Sequence, residues 1–87
     1  TGERYRGDTL LAAGLVEGGR LLDIATGTGL VLRSASRITG PRGLAVGLDP
    51  SAGMLAECRA RSAAPLLRGR GESLPFRDGA FDMVSLG

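Results

Sequence analysis

Histidine is absent from the chain, and this removes more chemistry than any other gap in its composition. Neither a Ser-His-Asp nor a Cys-His relay can be assembled, and the commonest zinc ligand is missing. Cysteine occurs once, as Cys58, so no disulfide can form within the chain. Cys58 falls inside a helical pattern, where a small apolar core role outweighs a nucleophilic one. No metal site is expected. Lysine is absent too. All eleven basic residues are arginine, and they are scattered rather than blocked, as on solvated faces. The net charge of +2 is too small to point to nucleic acid. No apolar stretch approaches the ~20 residues of a membrane span, and no signal peptide is visible. With a single free cysteine, the expected compartment is the cytoplasm.

What remains is an ordinary globular composition, 43% hydrophobic and 23% charged over 87 residues, enough for one small domain. Asp8 is placed to cap a helix over residues 9–16, with Leu10, Leu11 and Leu15 on its apolar face and Gly14 as a weak point. Residues 20–25 read as a first strand and residues 29–38 as a helix. Residues 44–48, apolar on both faces, read as a strand of a parallel sheet. Ser51 is a good N-cap for a helix over 52–62. Residues 66–68 and 81–86 read as two further strands, separated by a loop over 69–76 and a turn at Arg77-Asp78-Gly79. Alternation of this kind predicts an α/β fold: a Rossmann-like, doubly wound parallel sheet of about four strands, with helices on both faces.

In such a sheet, ligands bind outside the carboxyl ends of the strands. The first strand ends in Ala25-Thr26-Gly27-Thr28-Gly29, a glycine turn into a helix, which brings backbone close to a ligand. The second ends at Asp49, twenty positions after Gly29, a spacing suited to an acid that accepts from ribose hydroxyls. The plainer reading of Asp49 is a turn acid, although Ser51 already supplies the cap. A dinucleotide fingerprint would need a third glycine, and the run Gly27-Thr28-Gly29-Leu30-Val31-Leu32 lacks it. Asp23, four residues before Gly27, would repel a pyrophosphate and suit a ligand that carries an amine.

At this point the chain resembles a known family. Residues 22–29, LDIATGTG, resemble motif I of the class I S-adenosylmethionine-dependent methyltransferases. Residues 46–55, VGLDPSAGML, resemble their second motif. Residues 71–76, GESLPF, with Asp78 and residues 81–84, FDMV, resemble the third motif and the start of the fourth. The similarity spans residues 20–87 and is greatest to the ubiquinone/menaquinone C-methyltransferase-like branch. It implies S-adenosylmethionine as cofactor and a small-molecule methyl acceptor. Residues 25–29 would pass under the methionine half, with Asp23 orienting its ammonium. Asp49 would hold the ribose hydroxyls, Pro50 and Met54 would flank the adenine, and Gly71 and Glu72 would present backbone to its edge. Gly87 falls where a further cofactor contact begins. Tyr5 and Arg6 are in reach of the methionine end, with a flexible lead-in as the plainer reading.

Two positions depart from the family pattern. Ala25 stands where many members have glycine. Arg70 stands where an Asp or Asn contacts the adenine amino group, and arginine has only donors to offer. The chain stops at Gly87 in what reads as mid-fold. The expectation is therefore a partial cofactor-binding domain, residues 1–87, without the substrate half and with no catalytic residue to name. The alternatives are an NAD-binding half of an oxidoreductase and a non-catalytic adenosyl-binding module.

Overall fold

A computed structural model of the chain describes residues 2–71 and 79–86. The element order is α1 (Gly2–Ala12), β1 (Arg20–Ile24), α2 (Leu30–Thr39), β2 (Leu44–Asp49), α3 (Ala52–Arg59), β3 (Leu66–Arg68) and β4 (Met83–Leu86). The four strands form one parallel sheet in the order β3-β2-β1-β4. The sheet steps outward from β1 to β3, then reverses to place β4 on the other side of β1. That reversal makes the carboxyl ends of β1 and β4 the switch point, where open α/β sheets hold ligands.

Leu21 and Ala45 on one face of the sheet join Leu10 of α1, Leu32 and Ala35 of α2 and Cys58 of α3 in a single buried cluster. On the opposite face, Leu22, Val46 and Leu48 cluster with Ile24, Leu44 and Phe81, and no helical residue belongs to this group. The expectation of helices on both faces is therefore met on one face only, among the described residues. Handedness supplies the reason. The crossovers from β1 to β2 and from β2 to β3 run in the same direction, so a right-handed path puts α2 and α3 on the same side. Only a connection made after the reversal has the sense that reaches the other side. On that side, at the β4 edge, Val84 is 54% and Leu86 83% exposed.

The first helix differs from its expected position. It runs over Gly2–Ala12, so Asp8 is an interior residue and not a cap. Gly14, at φ +106°, ends it. The Gly14 N–H donates to Leu11 O and the Leu15 N–H to Leu10 O, both at 3.0 Å. This is the paired closure that glycine gives a helix C-terminus, with the apolar contact falling between Leu15 and Leu10. Leu15 is buried, as its apolar spacing demanded, but just past the helix end. The remaining elements lie within three residues of their expected ends, and β3 coincides with the expected strand.

Candidate functional site

The segment over residues 25–29 joins β1 to α2 and is wound tightly on itself. Ala25, Gly27 and Gly29 all have positive φ, at +57°, +58° and +85°. Ala25 thus occupies the left-handed region that glycine favours, at a cost of roughly 1 kcal/mol. Its backbone donors are largely spent internally. Thr26 N–H donates to Leu48 O at 2.9 Å, and Gly29 N–H donates to Thr26 O at 3.0 Å. Gly27 N–H donates to Oδ2 of Asp49 at 3.0 Å.

Asp49 closes β2 and is only 6% exposed. Its other oxygen, Oδ1, accepts from Ser51 N–H at 2.8 Å. Ser51 in turn caps α3, its hydroxyl accepting from Met54 N–H at 3.2 Å. One carboxylate therefore fixes both the glycine loop and the lead into α3. Each carboxylate oxygen can accept more than one hydrogen bond, so capacity for ligand hydroxyls remains.

Asp23 is fully buried. The Thr26 hydroxyl donates to its Oδ2 at 2.8 Å, and the Ser85 hydroxyl donates to its Oδ1 at 2.7 Å. It thereby ties the loop to β4 from below and lines neither of the hollows described next. Asp23 therefore braces the loop that was expected to carry the methionine half. Burial pushes its carboxyl above the ordinary range, with the hydrogen bonds from Ser85 and Thr26 pulling the other way. A raised carboxyl stays protonated in the folded state where the unfolded chain has already ionised. The folded state then binds more protons, and stability falls as pH climbs from the ordinary Asp value through the raised one. Asp23→Asn cannot ionise. Between about pH 4 and about pH 7, its urea midpoint is expected to move in its favour relative to the parent protein. A gap that does not change with pH would contradict this.

Two hollows flank the loop at the carboxyl edge. One, of about 450 Å³, is lined by Ile24, Ala25, Pro50, Arg70, Gly71 and Leu86, with Gly69 between. Its size suits a nucleoside. Gly71 lies so close to Ile24 that a Cβ there would stand 2.9 Å from Cγ2 of that side chain. The second, of about 410 Å³, is bounded by Arg6, Gly27, Thr28, Leu30, Val31 and Met54, with Thr26 behind.

Pro50 and Met54 were expected to flank the same ring, and the structure separates them. Pro50 faces the first hollow. Met54, in the first turn of α3, turns to the glycine loop, its Cε 3.6 Å from where a Cβ on Gly27 would lie. Arg70 lines the first hollow, as its motif position implied. Glu72 and Gly87 lie outside the described residues. Arg6, read either as in reach of the methionine end or as part of a lead-in, borders the second hollow on a helix that begins earlier than expected. The missing third glycine has a counterpart: Leu32 is fully buried where that glycine would stand, and the room for it comes from Gly47 on β2. A Cβ on Gly47 would fall 2.7 Å from Leu32 Cδ2.

A parallel sheet with a switch point beside β1, a glycine turn and an acid closing β2 place the chain among α/β domains of the Rossmann-like class. Comparison with known proteins narrows this. The family described as "Methyltransferase domain" matches residues 21–87, and the chain belongs to that family. The ubiquinone/menaquinone biosynthesis C-methyltransferase UbiE of Geobacter sulfurreducens is 39% identical over 90 residues, covering 95% of this chain and 35% of that protein. The demethylmenaquinone methyltransferase of Shouchella clausii is 35% identical over 89 residues, covering 95% of this chain and 38% of its own. The chain thus spans little more than a third of the length of these curated relatives. Among solved structures, a SAM-dependent methyltransferase from Aquifex aeolicus shares the fold. Its TM-score is 0.80 at 24% identity, over 91% of this chain and 45% of that one. S-adenosylmethionine is the cofactor that goes with this family.

Proposed function

We propose that the protein is an S-adenosylmethionine-dependent methyltransferase with a small-molecule acceptor, and that this chain is its cofactor-holding part. The observation that carries the reading is the Gly27 N–H, which donates to Asp49. A loop that cradles a pyrophosphate must aim its N–H groups at the ligand. Here Thr26, Gly27 and Gly29 all donate within the protein, which disfavours a dinucleotide. The same arrangement leaves a carboxylate at the site, suited to hydroxyls and to cationic groups.

The bound cofactor supplies an electrophilic methyl group on a sulfonium centre; the protein supplies position and electrostatics. Asp49 accepts from the ribose hydroxyls with its remaining capacity. Pro50 and Gly71 bound the adenine side, where the acceptor for the adenine amino group is a backbone carbonyl, since Arg70 offers donors only. Residues 25–29 carry the methionine half, and Asp23, through Thr26 and Ser85, holds that loop in place. The names of the relatives favour a demethylated quinone as acceptor. A cytoplasmic setting belongs to the same reading, on the single buried thiol of Cys58. The test is formation of S-adenosylhomocysteine by the intact protein with S-adenosylmethionine and a demethylated quinone. Turnover that requires the acceptor is expected. Cofactor binding without turnover over a panel of carbon, oxygen and nitrogen acceptors would favour a non-catalytic adenosyl-binding module.

A further inference from the structure

Among the described residues, the hollow of Pro50 and Gly71 has one polar side chain in its lining, Arg70. The other side chains there, those of Ile24, Ala25, Pro50 and Leu86, are apolar. Two close approaches set where Arg70 stands. Gly69 precedes it, and a Cβ there would lie 3.1 Å from Leu48 Cδ1. Gly71 follows it, and a Cβ there would lie 2.9 Å from Ile24 Cγ2. The Gly69 N–H also donates to Asp49 O at 3.1 Å. The backbone on both sides of Arg70 is thus pressed onto the ends of β2 and β1, and a side chain at either neighbour would crowd the strand beneath it. The guanidinium therefore rises from a fixed root at the rim of the hollow, one residue past the bond to Asp49. Arginine brings N–H donors in a planar fork and no acceptor. A 6-aminopurine offers that fork no acceptor at its amino group, which is itself a donor. It does offer one next to that group, at N7, the ring nitrogen that arginine takes in its commonest purine contact.

We propose that Arg70 is a specificity-determining residue that reads the base at N7. A guanidinium N–H donates to that ring nitrogen while a backbone carbonyl accepts from the amino group beside it. This rests on the cofactor reading above and adds to it the edge by which the base is selected. The two groups together do what one Asn or Gln amide does at adenine N6 and N7. Position 70 is then not a lost contact. Its donor cannot serve the amino group, and it serves the neighbouring atom instead.

Three ligands separate this proposal from the reading it rests on: S-adenosylhomocysteine and its 7-deaza and 1-deaza analogues, each of which replaces one ring nitrogen by C–H. All are titrated calorimetrically into the intact protein and into Arg70→Met, which keeps an apolar stem and removes the donors. The unaltered protein is expected to bind the 7-deaza analogue roughly tenfold more weakly than S-adenosylhomocysteine, the scale of a hydrogen bond to a charged group. In Arg70→Met that gap should close, because S-adenosylhomocysteine weakens and the 7-deaza analogue does not. Equal binding of these two ligands by the unaltered protein would overturn the role of Arg70 and leave the cofactor reading standing, without recourse to any variant. Equal loss of both in Arg70→Met would mean that the guanidinium lies flat on the ring, a contact indifferent to N7, and would overturn it as well. A penalty for the 1-deaza analogue with none for the 7-deaza would put the opposite edge of the base at Arg70, with the same consequence. If the unaltered protein binds none of the three, the cofactor reading falls and the proposal with it.

Discussion

Gly29→Ala is expected to cost about 3 kcal/mol of stability, from two separable sources. Gly29 sits at φ +85°, a conformation that costs an L residue roughly 1–2 kcal/mol. A Cβ built there would also overlap Sγ of Cys58, and overpacking of this kind costs about 1–3 kcal/mol. Cys58 is fully buried in the cluster that joins the helices to the sheet, so it has little room to yield. Urea denaturation of the single variants and of the Gly29→Ala/Cys58→Ala pair separates the two. Removing the thiol should restore the packing share and leave the backbone share in place. The two substitutions should therefore couple, by about 1–2 kcal/mol. Additive losses would show that the contact between the loop and α3 is not what excludes a side chain.

The second large effect is expected at Asp49. Asp49→Ala leaves the N–H groups of Gly27 and Ser51 without their acceptors, a loss of roughly 2–6 kcal/mol at 1–3 kcal/mol per stranded buried donor. It also removes the acceptor offered to ribose, which should weaken S-adenosylhomocysteine by about 1–3 kcal/mol. Asp49→Asn keeps one acceptor oxygen and turns the other into a donor. It should satisfy one of the two N–H groups and fall between the parent protein and the alanine variant in urea midpoint. An alanine variant that unfolds and binds like the parent would remove Asp49 from both roles.

The parts of this fold written in local patterns were legible in the sequence. Short apolar runs bounded by glycine and proline located four strands, and β3 appeared where it was expected, at Leu66–Arg68. Asp49 and the glycine turn converge because a parallel sheet brings strand ends to one edge, and this follows from element order alone. What escaped was set by contacts between distant residues. Ser85 reaches Asp23 from 62 positions away, and no spacing rule announces it. Met54 lines the hollow beside the loop instead of Pro50's hollow, a direction that no spacing in the sequence carries. The first helix was misplaced because Leu15 carries helical spacing while sitting beyond the Gly14 terminator. The single-sided helical layer was legible in principle, since two crossovers in one direction share a face, but it required strand order, which the sequence did not supply.

The most direct test of the account is calorimetric titration of S-adenosylhomocysteine into the intact protein, with NAD as the control. Saturable binding of S-adenosylhomocysteine and none of NAD is the predicted result, because the N–H groups of Thr26, Gly27 and Gly29 are held by Asp49 and by backbone carbonyls and are not offered to a pyrophosphate. Binding of NAD in preference to S-adenosylhomocysteine would contradict it, and would mean that Gly27 gives up Asp49 to cradle phosphate.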